Sequence, residues 1–155
     1  MKILIAVDGS QVSLEAVRFA IRLARSGLQI RVLLVNVQEA ATLYELLVAH
    51  DPQVLEQVSA AAGAHTLEAA QQLLNEADIE FESEVVSGDP AHTVVEMVER
   101  HACDMVVLGA SGTSTLRSAL LGSVSNEVLH AAAVPVVIVK AAAEAEQETP
   151  EDALE

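Results

Sequence analysis

The sequence predicts an α/β fold: a single-domain, open five-stranded parallel sheet with helices on both faces. Short apolar runs rich in Val, Ile and Leu alternate along the chain with amphipathic stretches of helical period, the pattern of a parallel sheet. The runs lack the polar alternation of a half-exposed strand, so they read as strands buried on both faces.

Lys2 to Val7 (KILIAV) is the first such run, and Asp8, Gly9 and Ser10 turn the chain. Ser10 or Ser13 can cap the helix that follows. In that helix Leu14, Val17, Ala20, Ile21 and Ala24 form an apolar stripe, and Glu15, Arg18, Arg22 and Arg25 take the other face. Ser26 and Gly27 stop it. Ile30 to Val37 (IRVLLVNV) is the second strand. Gln38 to Asp51 shows no regular pattern, and Pro52 opens a long Ala-rich helix to about Ala77. Ile79 to Val86 is a third strand, less apolar and therefore nearer an edge. Ser87, Gly88 and Asp89 turn the chain into a helix that starts at Pro90 and packs through Val94, Val95 and Val98. Asp104 precedes the fourth strand, Met105 to Leu108. A helix runs from Ser123 to about Ala133, and Pro135 leads into the last strand, Val136 to Val139.

The chain has 155 residues, about half of them apolar and almost none aromatic, so Ala, Val and Leu must fill its core. The formal net charge of -15 argues against binding nucleic acid or an acidic membrane surface, since phosphate backbones attract Lys and Arg. The acidity is partly local: Glu144, Glu146, Glu148, Glu151, Asp152 and Glu155 lie after Lys140, in a tail (141–155) expected to be disordered. Cys103 is the single cysteine, so no intrachain disulfide forms, which fits a reducing compartment. The first apolar run is too short for a signal segment, and no stretch reaches membrane-spanning length, so a cytoplasmic location is expected. The histidines at 50, 65, 92, 101 and 130 show no metal-ligand spacing, and none is placed to activate a serine.

The chemistry concentrates between Leu108 and Ser125, LGASGTSTLRSALLGSVS. A strand ends in glycines that lead to a helix N-terminus. Glycine lets the backbone approach a phosphate, and the open N–H groups and dipole of the helix favour an anion. In a parallel sheet ligands bind beyond the carboxyl ends of the strands, and Asp8, Val37 and Gly109 stand at such ends. The spacing is Gly109-x2-Gly112-x9-Gly122-Ser123. It is neither a Walker A loop nor the G-x-G-x-x-G dinucleotide fingerprint. Arg117 is the only cation inside it, equally suited to a phosphate or to solvent.

This spacing, with Asp8-Gly9-Ser10, Gly88-Asp89-Pro90, Leu121 to Ser125 and Pro135 to Val139, resembles the ATP-binding branch of the universal stress protein family over about residues 1–140. The resemblance implies the Rossmann-like fold of the adenine nucleotide alpha hydrolases. It implies that Gly109, Gly112, Gly122, Ser123 and Val124 hold phosphates through backbone N–H groups, with a hydroxyl from Ser125. Asp8 would sit beside the nucleoside, Ala6 and Leu108 would line the adenine pocket, and Val37 would offer its backbone to the base edge. It also implies ATP as ligand, Mg or Mn with the phosphates, and a homodimer joined through Val136 to Val139. Ala110, Ser111 and Asn36 stand where many members carry His or Arg, which bears on extra contacts only. The rival reading is a slow ATPase or a nucleotidyl-transfer enzyme. The related N-type ATP pyrophosphatases carry Ser-Gly-Gly-x-Asp-Ser after the first strand, and this chain has Asp8 to Ser13 (DGSQVS) there.

Overall fold

A computed structural model describes residues 1–111 and 121–141. Gly112, Arg117 and the acidic tail beyond residue 141 lie outside the described residues. In chain order the elements are β1 (Lys2–Ala6), α1 (Gln11–Arg25), β2 (Arg31–Gln38), α2 (Leu43–Val48), α3 (Pro52–Glu76), β3 (Phe81–Ser87), α4 (Pro90–Arg100), β4 (Met105–Gly109), α5 (Ser123–Ala131) and β5 (Val136–Val139). The five strands form one parallel sheet in the order β3-β2-β1-β4-β5. The expected fold is the observed one, with β3 and β5 at the edges.

Strand alternation sends side chains to two cores. Ile3, Ile5, Val32, Leu34 and Val107 pack with Val17 and Ile21 of α1 and Leu67 and Leu74 of α3. Leu4, Leu33, Val35, Val106 and Leu108 pack on the other face with Val94, Met97 and Val98 of α4 and Val128 of α5. In α4 Met97 is buried and Val95 only half-buried, so the helix is rotated slightly from the face its valines suggested.

The segment 38–51 is not irregular throughout. It contains α2, whose N-cap Thr42 accepts from the Glu45 amide at 3.3 Å while the Glu45 carboxylate reaches back to the Thr42 amide at 2.7 Å. This reciprocal capping box satisfies two orphan donors and defines a six-residue helix that buries no side chain. Its apolar residues face solvent, so no core-facing period announces it.

Helix α3 lies close on the sheet at Gly63. A Cβ there would stand 2.8 Å from the Asn36 Oδ1 atom and would overlap Val85. Asn36 is itself buried, donating through Nδ2 to the Val7 carbonyl at 2.8 Å and accepting from Gln38 Nε2 at 2.6 Å.

Candidate functional site

Where β1 ends, Asp8 and Ser10 build a turn that starts α1. One Asp8 carboxylate oxygen accepts from the Ser10 amide at 2.9 Å and from the Ser10 hydroxyl at 2.6 Å. The Ser10 oxygen in turn accepts from the Ser13 amide at 3.1 Å, so Ser10 caps the helix and Asp8 orients the cap. Gly9 carries a φ of +86°, the left-handed region that glycine adopts without strain.

Where β4 ends, Gly109 lies against α1. A Cβ at Gly109 would stand 2.7 Å from Val12 Cγ1 and 3.1 Å from the Val12 backbone. Close helix packing therefore requires this glycine whether or not a phosphate is near. The next residues leave the sheet, and the chain returns with the Gly122 amide donating to the Ala110 carbonyl at 2.7 Å.

Gly122, not Ser123, is the N-cap of α5, and no side chain caps the helix. Ser123 is the first helical residue because Gly122 already has extended cap geometry, φ -62° and ψ 158°. That φ is ordinary for any residue, so Gly122 stores no backbone strain. Its N–H is occupied by Ala110. Among the described residues, the amides of Ser123, Val124 and Ser125 in the first turn meet no acceptor. The Ser125 hydroxyl donates to the Gly109 carbonyl at 2.7 Å and is buried. In that geometry the hydroxyl anchors α5 to the end of β4.

These pieces meet in one cleft of about 530 Å³ at the carboxyl ends of β1, β2 and β4. Ala6, Asp8, Val37, Leu108, Gly109, Gly122, Ser123, Val124 and Ser125 all line it. Every candidate residue from the sequence is thus brought together, except Gly112 and Arg117, which lie outside the described residues. Strand order reverses direction at β1 and β4, the switch point where such sheets open a crevice.

Sequence reasoning missed Ser13, Glu39, Pro90, Val94 and Ser111, which also line the cleft. Pro90 and Val94 were legible as the start of a helix after β3, but not as a wall across the sheet. Glu39 follows β2 directly, and a charge at that place reads as a loop. Asp8 and Glu39 are the only charged residues among the described lining, and both are acidic. Among the described residues, the groups that can hold an anion here are backbone amides and the helix dipole, and a cation would offset the two carboxylates.

A second hollow, of about 610 Å³, opens at the other end of the sheet among Met1, Arg25, Arg31, Asp78 and Glu80. It is slightly larger, but it faces helix C-termini and strand starts, where no open N–H cradle exists.

The profile of the Universal stress protein family matches residues 1–140. Universal stress protein MJ0531 of Methanocaldococcus jannaschii is 31% identical over 139 residues, covering 90% of this chain and 81% of the relative. Universal stress protein UspA from Lactobacillus plantarum superposes with a TM-score of 0.73 at 25% identity, covering 90% of this chain and 97% of that one. A universal stress protein solved in complex with cAMP superposes with a TM-score of 0.63 at 25% identity, covering 90% and 95%. A fold of this order, with a glycine-walled cleft at its switch point, defines an open parallel α/β protein with its crevice at the carboxyl ends of the strands. The chain belongs to the universal stress protein family.

Proposed function

We propose that this protein binds an adenine nucleotide, ATP with Mg²⁺ or Mn²⁺, in the cleft between β1 and β4, and acts in stress response through its nucleotide-bound dimer. The observation that carries the reading is the convergence of Ala6, Val37 and Leu108 with the uncapped start of α5 in one cleft. The apolar wall suits a base, and the Ser123, Val124 and Ser125 amides suit phosphate oxygens. The complex of a relative with cAMP supports an adenine ligand.

The donor set fits a metal that rides on the ligand. Mg²⁺ is commonly bound by one or two carboxylates together with substrate phosphates. Asp8 supplies one carboxylate, and no cluster of three metal-ligating side chains stands among the described residues. A bound divalent ion would neutralise phosphate charge.

A slow ATPase is the second reading, favoured by Glu39 as a carboxylate in the cleft. It follows β2, on the opposite side of β1 from β4 and α5, and so stands at the base side rather than the phosphate side. A base must come within about 3 Å of the water it activates, or act through one water.

The test is titration calorimetry with ATP, with and without Mg²⁺, together with mass spectrometry of any ligand released from the purified protein. Metal-enhanced ATP binding is expected, and absence of any adenine nucleotide affinity would overturn the reading. Phosphate release under excess Mg-ATP should stay far below about 1 per second, an ordinary enzyme rate. Turnover at that rate, lost on Glu39→Gln, would establish an enzyme.

A further inference from the structure

The connection from β2 to α3 carries an apolar face that the fold does not use. Leu43, Tyr44 and Leu47 of α2 are 74%, 75% and 76% exposed, and Val48 of α2 and Val54 and Val58 of α3 are each more than half exposed. Helix α2 buries nothing. In α3 the buried residues begin only at Gly63, which touches Asn36 and Val85 near the carboxyl ends of β2 and β3. Residues 52–62 therefore project past the strand ends by about 1.5 Å per residue. The projecting turns and α2 stand at the cleft end of the sheet, joined to it through Glu39.

A six-residue helix is marginal in water by itself, and α2 has a capping box but no buried side chain. Contiguous exposed apolar surface rimmed by polar residues marks an interaction site. The rim here has one sign. Glu39, Glu45, Asp51 and Glu56 are exposed along the same connection, and no Lys or Arg occurs between Arg31 and Arg100.

We propose that this face docks a basic amphipathic helix of another protein, whose apolar side chains cover α2 and the start of α3 while its Lys and Arg residues meet the acidic rim. Recognition of this kind lays an apolar helix face onto an apolar surface, with complementary charge setting partner choice and encounter rate. A second copy of the chain docked on this face would bring the same acidic residues against each other. Anionic headgroups would be repelled for the same reason.

The probe is a dye-labelled synthetic amphipathic helix of Leu and Lys, followed by fluorescence anisotropy with the full-length protein. A matched helix of Leu and Glu is the charge control. The Lys peptide should bind and the Glu peptide should not. The double substitution Leu43→Ser and Leu47→Ser leaves the charge unchanged and removes no buried group, and it should weaken binding about tenfold or more. Val54→Ser with Val58→Ser, on the other helix, should do the same, with circular dichroism checking each fold. Equal affinity in both double variants would reduce the effect to bulk charge and overturn the proposal. Wild-type self-association that either double variant abolishes would assign the face to a second copy instead. Vesicle binding lost in those variants would assign it to a membrane surface.

Discussion

Gly109 is where the packing of α1 and the proposed ligand site coincide. Its missing side chain lets Val12 approach to within ordinary contact, so Gly109→Ala should cost about 1–3 kcal/mol of stability through overpacking, read from the denaturant midpoint. Adding Val12→Ala should recover only part of this, because the Val12 backbone stays at 3.1 Å from the new Cβ. A destabilisation fully relieved by the second change would place the clash in the side chain alone. The ligand role is tested better at Ser123. Proline is accommodated at the first helical position, and Gly122 already has the extended geometry that a residue before proline needs. Ser123→Pro thus removes one amide donor and leaves the helix. A hydrogen bond to a charged group contributes about 1.5–3 kcal/mol, so ATP affinity should fall roughly tenfold to a hundredfold by calorimetry. Gly122→Val, which sets a branched side chain at the cleft wall, should also weaken it. Unchanged affinity in both folded variants would detach the start of α5 from the phosphates. The glycine spacing made these positions legible. Which amide is free was not legible, because that depends on the bond from Gly122 to Ala110 and on where the cap falls.

At the scale of elements, α3 and α2 obey opposite rules. Gly63 sits mid-helix, where alanine gains about 0.8–1 kcal/mol in propensity. The Cβ would meet Val85 and Asn36, and overpacking of about 1–3 kcal/mol outweighs that gain. Gly63→Ala should therefore lower the thermal midpoint, and Val85→Ala should relieve much of the loss; a stabilised Gly63→Ala would show that the helix can lift off the sheet. Helix α2 depends instead on the Thr42–Glu45 box, in which the Thr42 amide and hydroxyl hold the Glu45 carboxyl below its usual 4.5. The folded value is depressed, so the cap is fully present above pH 4.5 and is lost as pH falls through the lower folded value. Hydrogen exchange at the Thr42 amide, which donates to that carboxylate, should rise relative to the rest of the chain in that acid window, and a flat profile would remove the carboxylate from the cap. Strands and long helices were legible because their apolar periods match the faces they bury. Helix α2 was hidden because its apolar residues bury nothing, although Thr42 and Glu45 at capping-box spacing were its signal.

The whole molecule leaves two sheet edges, and they are treated differently. On β3, Glu82 and Glu84 place charge on the strand, the usual protection of an edge. On β5, Val136, Val137, Ile138 and Val139 are all half-buried and carry no charge. An antiparallel pairing of two β5 strands about a two-fold axis would satisfy both edges, which is the homodimer we propose. The ladder identifies the groups available for it. The carbonyls of Pro135 and Val139 accept from Val106 and Ala110 of the neighbouring strand segment, so alternation turns Val137 toward β4 as well. Val136 and Ile138 direct their backbone groups to the open edge. Ile138→Pro then removes an outward donor without removing a bond to β4, and edge strands tolerate proline. Val137→Pro cuts the sheet itself. Sedimentation at micromolar concentration should show a wild-type dimer that persists when the chain is cut after Lys140. The Ile138→Pro protein should sediment as a folded monomer, whereas Val137→Pro should lose stability as well. A wild-type protein that stays monomeric at every accessible concentration, or an Ile138→Pro protein that remains dimeric, would move the interface away from β5.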